Sequence, residues 1–94
     1  MMKHYGYLEF SVDNKNYEAC VTAYGYLDRL GWICEISDNI YFDEFYSTST
    51  DENDNTDYIK KYDSDKDFQQ KVFCAVREKL LKEVSNDDWT YVGD

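Results

Sequence analysis

Carboxylates are the most abundant reactive side chains of this 94-residue sequence, and they concentrate in its middle. The chain has 20 Asp and Glu residues against 10 Lys and Arg residues. Residues 35–67 hold eleven of these acids and only three bases. Such a surface repels nucleic acids and anionic lipids and attracts basic proteins. The charge balance therefore excludes a direct nucleic-acid binder and a membrane-surface protein, and it favours a basic protein as partner.

Clustered carboxylates are also the ligands of calcium, so the two densest acidic runs, residues 51–57 and 63–67, were compared with a calcium-binding loop. An EF-hand loop needs Gly at its sixth position and Glu at its twelfth. In a loop that starts at Asp51 these positions hold Thr56 and Tyr62, and in a loop that starts at Asp63 they hold Phe68 and Cys74. We therefore predict no metal site.

The remaining reactive groups do not combine into catalytic machinery. His4 is the only histidine, and the sequence has no glycine-rich phosphate loop. Cys20, Cys34 and Cys74 are odd in number, widely spaced and flanked by apolar or aromatic residues, as reduced core cysteines of cytosolic proteins are. Paired carboxylates acting on a sugar would need a deep cleft, which a chain of this length does not enclose. We predict no catalytic residue and no cofactor, and hence no enzyme.

Length and hydropathy limit the organisation of the chain. Ninety-four residues suffice for one compact domain, so residues 1–94 are predicted to form a single domain. No run of about 18 apolar residues could span a membrane, and the first residues lack the apolar region of a secretion signal. These features predict a cytoplasmic protein.

The first half of the sequence predicts antiparallel strands. Residues 5–12 and 17–24 read as a hairpin joined by a turn at residues 13–16, although the residues from 17 to 30 also fit a helical spacing. Residues 32–36 are rich in β-forming side chains, residues 37–39 read as a turn, and residues 40–46 are a candidate fourth strand. An acidic loop is expected over residues 47–63, and residues 89–92 are a candidate edge strand.

The second half predicts one long amphipathic helix over residues 65–83. Ser64 occupies the expected cap position, and apolar residues follow at helical spacing, with Phe68, Val72, Val76 and Leu80 in one stripe. The predicted fold class is therefore α+β, a small antiparallel β-sheet with one long C-terminal amphipathic helix packed on one face.

The leading functional hypothesis treats the acidic middle as an imitation of DNA. Carboxylates two apart on a strand lie about 6.6 Å apart, and those three or four apart on a helix lie about 5–6 Å apart, so their rows resemble a row of phosphates. Such a protein would inhibit a basic DNA-binding protein by occupying its DNA-binding cleft. The predicted partner-binding residues are the acids Asp38, Asp43, Glu44, Asp51, Glu52, Asp54, Asp57, Asp63, Asp65 and Asp67.

Two alternatives remain open. Tyr41, Tyr46, Tyr58 and Tyr62 are interleaved with the acids, so the protein could instead bind a partner through an aromatic sheet face, with acidity serving only solubility. Most of these tyrosines are expected to be half-buried sheet residues. A small enzyme or metal-binding protein is the third possibility.

The whole chain resembles the anti-restriction nuclease (Arn) family of T-even-type phages. The resemblance lies in its size, its lack of proline, its acidic middle, the opening YGYLEF at residues 5–10 and YGYLDRLGW at residues 24–32. Members are short acidic DNA mimics that blunt host restriction enzymes. The resemblance implies a homodimer in the host cytoplasm that presents carboxylates along an elongated face to a restriction endonuclease or another DNA-binding host protein, such as a nucleoid protein.

Overall fold

The fold begins with a long antiparallel hairpin. In the computed structural model, which describes residues 1–48 and 55–93, strand β1 is Met2–Val12 and strand β2 is Lys15–Leu27. Val12 pairs with Lys15, so Asp13 and Asn14 form the turn, both with positive φ (52° and 68°). Asp and Asn tolerate this left-handed conformation, which matches the twist of the flanking strands. Residues 17–27 are therefore strand, which resolves the ambiguity between strand and helix.

Strand β2 is the centre of the sheet. One of its edges pairs with β1 over the whole hairpin. Its other edge pairs with strand β4 (Tyr41–Ser47) and strand β3 (Ile33–Ile36), each antiparallel. A short strand β5 (Thr90–Tyr91) pairs with the start of β1, which confirms the predicted edge strand in a shorter form.

Two helices, α1 (Tyr58–Ser64) and α2 (Lys66–Lys82), cover one face of this sheet. The α+β class and the antiparallel sheet are confirmed, but the prediction of a single helix is not. The expected loop over residues 47–63 is wrong at its C-terminal end, because Tyr58 and Tyr62 lie four residues apart and both bury their rings. The cap is also one residue later than predicted: Asp65 accepts from the backbone N–H of Phe68, whereas Ser64 bonds back to the carbonyl of Lys60.

The stripe of α2 packs against the sheet as predicted. Phe68, Val72, Val76 and Leu80 are all buried in one cluster with Val21 of β2. Since this cluster excludes water from the apolar stripe of α2, it supplies the main hydrophobic stabilisation of that helix.

Aromatic rings fill the end of the core nearest to α1. The ring of Phe45 lies 5.5 Å from Phe10, 5.6 Å from Tyr17, 5.5 Å from Tyr58 and 6.0 Å from Phe68 between centroids. These distances lie within the range in which edge and offset contacts between rings are favourable. The aromatic cluster therefore joins β1, β2, β4 and both helices.

The other end of the core is closed by Trp89. Its ring is buried and lies 5.6 Å from the ring of His4 between centroids. A Cβ on Gly25 would lie 3.1 Å from the Trp89 ring and 3.0 Å from a methyl group of Ile33, so glycine is needed at this point of β2. In the described part of the chain, neither helix combines the length and the apolarity that a membrane span requires.

Candidate functional site

The face of the sheet opposite the helices is a surface of tyrosines and carboxylates. Side chains alternate between the two faces of a strand, and the register aligns those of neighbouring strands. We call this surface the open face and define it by three cross-strand rows: Tyr5, Thr22 and Tyr41; Tyr7, Cys20 and Glu44; and Glu9, Glu18 and Tyr46. No described residue covers these tyrosines, of which Tyr5, Tyr7, Tyr41 and Tyr46 are 62%, 56%, 58% and 42% exposed.

Hydrogen bonds between phenols and carboxylates tie the open face together. The Tyr7 hydroxyl donates to Glu44 at 2.6 Å, and the Tyr46 hydroxyl donates to Glu18. Each of these bonds raises the pKa of its tyrosine to about 12, because only the neutral phenol can donate a hydrogen bond to the carboxylate and ionisation would lose that bond. The bond from Tyr7 joins the two ends of the middle row, and Cys20, which lies between them, is buried.

The three rows of the open face carry carboxylates and no base, and the next residue of β1 on the same side of the sheet is Lys3, opposite Tyr24. Glu9 and Glu18 are direct cross-strand partners, and directly opposed like charges destabilise a sheet. No Lys or Arg occurs in the three rows. Most of the bases of the chain lie instead on the helices: Lys60, Lys61, Lys66, Lys71, Arg77, Lys79 and Lys82. The open face is thus negative, whereas the helical side carries both signs.

A bulge adds one further acid to this surface. The register of β2 and β4 shifts between Cys20 and Val21, so that Asp43 is the extra residue on β4. A hydrogen bond with Asp43 is the largest of the causes that raise the pKa of Tyr5 to about 12. Asp43 therefore lies at the first row of the open face.

The other acids predicted from the sequence lie elsewhere. Asp57 and Asp65 cap α1 and α2 by accepting backbone N–H groups, and Asp67 lies 3.3 Å from Lys71. Asp38 and Asp63 line a separate cavity between the β3–β4 turn and the helices. Three of the ten predicted residues lie outside the described residues: Asp51, Glu52 and Asp54. The described acids thus divide between the open face, the helix starts and the cavity, and of the seven predicted acids that the structure describes, Asp43 and Glu44 lie on the open face.

Sequence reasoning missed Glu9 and Glu18 because both lie outside the acidic middle. The signal was present: each lies the same distance from the turn at Asp13 and Asn14, so a two-residue hairpin must pair them. Sequence reasoning also misjudged the burial of the four tyrosines that are interleaved with the acids. Tyr41 and Tyr46 are exposed, and Tyr58 and Tyr62 are buried helix residues.

The remaining reactive groups have structural surroundings. His4 is part of β1 and is only 6% exposed, so it is a buried residue although it lies near the N-terminus. Burial lowers its pKa, against the smaller effects of the Asp88 charge and a bond to the Val21 backbone. The cysteines are all free, but Cys34 and Cys74 are exposed, contrary to the expectation of core positions. Among the described residues, no group of three His, Cys, Asp or Glu side chains converges as a metal site.

Comparisons of this chain with protein-family models, curated proteins and solved structures found no match.

Proposed function

We propose that this chain is a non-enzymatic cytoplasmic binding protein whose open face captures the basic, DNA-binding surface of another protein. The observation that carries the proposal is the set of three aligned rows, which combine exposed tyrosines with carboxylates and contain no base. Tyrosine suits a protein interface because one rigid ring supplies both apolar area and a hydroxyl group. Carboxylates give the surface its preference for Lys and Arg.

The arrangement of the carboxylates favours mimicry of DNA over a general acidic coat. Side chains directly opposed on neighbouring strands lie about 5 Å apart and diagonal ones about 7–8 Å apart, which applies to Glu9 with Glu18 and to Glu18 with Glu44. Phosphates of one DNA strand rise by about 3.4 Å along the axis and are farther apart along the winding backbone. The carboxylates of Glu9, Glu18 and Glu44, from two neighbouring rows, therefore offer negative charges at a similar spacing.

The like-charge pair supports the same proposal. Holding Glu9 opposite Glu18 without a cation costs stability in the free protein. A Lys or Arg side chain from a partner would relieve this repulsion, so part of the binding free energy would come from a strain present only in the unbound state.

The test compares two variants with the same change of net charge. The open-face variant carries Glu9→Gln, Glu18→Gln and Glu44→Gln. The control carries Glu78→Gln, Glu83→Gln and Asp87→Asn, which neutralise acids on α2 and just beyond it. Binding of each to purified restriction endonucleases and to a nucleoid protein would be measured over a range of salt concentrations.

We expect the open-face variant to lose most of its affinity and the control to keep it. We also expect the logarithm of the wild-type association constant to fall linearly with the logarithm of salt concentration, and less steeply in the open-face variant. Equal loss in both variants would show that only the overall charge matters. Binding that is insensitive to salt and to both variants would favour the aromatic alternative, in which Tyr5, Tyr7 and Tyr41 supply the affinity.

A further inference from the structure

A cavity of about 590 Å³ lies where the turn between β3 and β4 meets both helices, and Tyr41 is the residue that it shares with the open face. Asp38 and Tyr41 line it from the sheet side, Tyr62 and Asp63 from α1, and Phe73 from α2. Ligand pockets of proteins typically have volumes of about 300–1,000 Å³. The cavity is therefore large enough for an extended amino-acid side chain and part of its backbone.

The cavity is negatively charged. Asp38 and Asp63 are its charged lining residues, and no Lys, Arg or His among the described residues lines it. Neither carboxylate forms an ion pair with a described cation, whereas Asp13, Asp67, Glu78 and Glu83 do. A cationic group entering this cavity would thus meet two carboxylates without displacing a base.

Tyr62 supplies a second feature of the cavity that is independent of its acids. It is only 7% exposed, yet its hydroxyl has no hydrogen-bond partner among the described residues. Burial and then the charges of Asp63 and Asp38 raise its pKa to about 12, so the phenol is neutral and both carboxylates lie near it. The Gln69 side chain donates to its backbone carbonyl at 3.1 Å and so links Tyr62 to α2. In the described part of the chain, His4 Nδ1, and not the Tyr62 oxygen, is the fully buried side-chain atom without a partner, so the phenol oxygen keeps some exposure although its ring is buried. It is therefore an acceptor that a ligand in the cavity can reach.

We propose that this cavity binds a guanidinium group, such as the side chain of an arginine residue in a peptide or protein. Guanidinium is planar, so it can stack on an aromatic ring while its N–H groups point at acceptors in its plane. Tyr41 and Phe73 supply rings at the wall, and Asp38, Asp63 and the Tyr62 hydroxyl supply acceptors. The ammonium group of lysine has no flat surface to stack and fits this combination less well.

The cavity and the open face can be tested separately. Asp38 and Asp63 are not members of the open face, so neutralising them leaves its rows unchanged. The proposal does not need the protein partner of the open face, because small molecules can report on the cavity directly.

The first experiment is a nuclear magnetic resonance titration of the 94-residue chain with N-acetyl-arginine amide. We expect saturable shifts at the backbone amides of the cavity residues. N-acetyl-citrulline amide has the same shape without the charge and should cause none, and N-acetyl-lysine amide should bind more weakly. N-acetyl-arginine with a free carboxylate should also bind more weakly than the amide if the site is built for arginine within a chain, because that carboxylate is repelled by the two aspartates.

The second experiment repeats the titration with variants. Asp38→Asn combined with Asp63→Asn should lower the affinity for N-acetyl-arginine amide about tenfold, and Tyr62→Phe, which removes only the hydroxyl, about threefold. The pair Asp13→Asn and Asp87→Asn makes the same charge change outside the cavity and should leave affinity unchanged. The proposal is overturned if the arginine probe gives no saturable shift, if citrulline binds equally well, or if the cavity variants bind as the wild type does.

Discussion

Replacing Glu9 by Gln should make the free protein more stable and its complex weaker. Glu9 and Glu18 are direct cross-strand partners, so their side chains lie about 5 Å apart. Two like charges at that distance in water repel by about 0.8 kcal/mol. Measured cross-strand pairs span about 0.2–1 kcal/mol. Glu9→Gln should therefore raise the free energy of unfolding by about 0.2–0.8 kcal/mol, while the bond from Tyr46 to Glu18 remains.

Thermal unfolding provides the assay. In a domain of this size, about 1 kcal/mol shifts the midpoint by about 4–8 °C, so we expect an increase of about 1–6 °C at low salt. In about 1 M salt the screening length falls to about 3 Å, and the increase should vanish. Glu78→Gln is the matched control, because it removes the same charge but breaks an ion pair with Lys82 of 2.8 Å, and so should not stabilise the protein.

Two outcomes would refute this reasoning. If Glu9→Gln lowers the midpoint, Glu9 has a favourable contact that outweighs the repulsion. If Glu9→Gln and Glu78→Gln raise it equally, the relevant quantity is the net charge of −10 and not the pair on the open face.

Three further predictions concern the core and the sheet edge. Burial lowers the pKa of His4 below its value in the unfolded chain, so the unfolded state gains a proton first as the pH falls. The free energy of unfolding should therefore decrease as the pH falls from about 7.5 to about 5.5. His4→Leu should flatten this pH dependence in denaturant titrations. Val76→Asp places a charge in a fully buried site and should lower the free energy of unfolding by about 3 kcal/mol or more, so a smaller loss would mean that α2 is not anchored there. On the edge of β1 opposite β2, no described strand pairs beyond Lys3, so we predict that two copies of the chain pair along that edge as a homodimer. Tyr7→Pro should then yield a monomer in sedimentation analysis, and a monomeric wild type would contradict the prediction.

Patterns local in sequence predicted the elements that depend on local spacing. The stripe from Phe68 to Leu80 recurs at helical spacing, and burial of one helix face follows from it directly. The hairpin was predictable because Asp13 and Asn14 accept positive φ. Helix α1 was missed because its first residues follow a polar segment and only Tyr58 and Tyr62, one turn apart, mark its buried side.

The candidate surfaces depend on register and tertiary packing, which composition does not reveal. A count of acids pointed to residues 35–67, but which acids share a surface depends on strand alternation, which placed Glu9 and Glu18 beside Glu44. The cavity brings together Asp38 from a turn and Asp63 from α1, and nothing in their spacing along the chain predicts that meeting.

Displacement of labelled duplex DNA from a restriction endonuclease or nucleoid protein tests the proposed mimicry most directly. The wild-type chain should release the DNA at low salt, progressively less as salt rises, and should not bind the DNA itself. The variant carrying Glu9→Gln, Glu18→Gln and Glu44→Gln should release little, although its fold is unchanged by circular dichroism. Equal displacement by the wild type and this variant, or no displacement by the wild type at any salt concentration, would contradict the account.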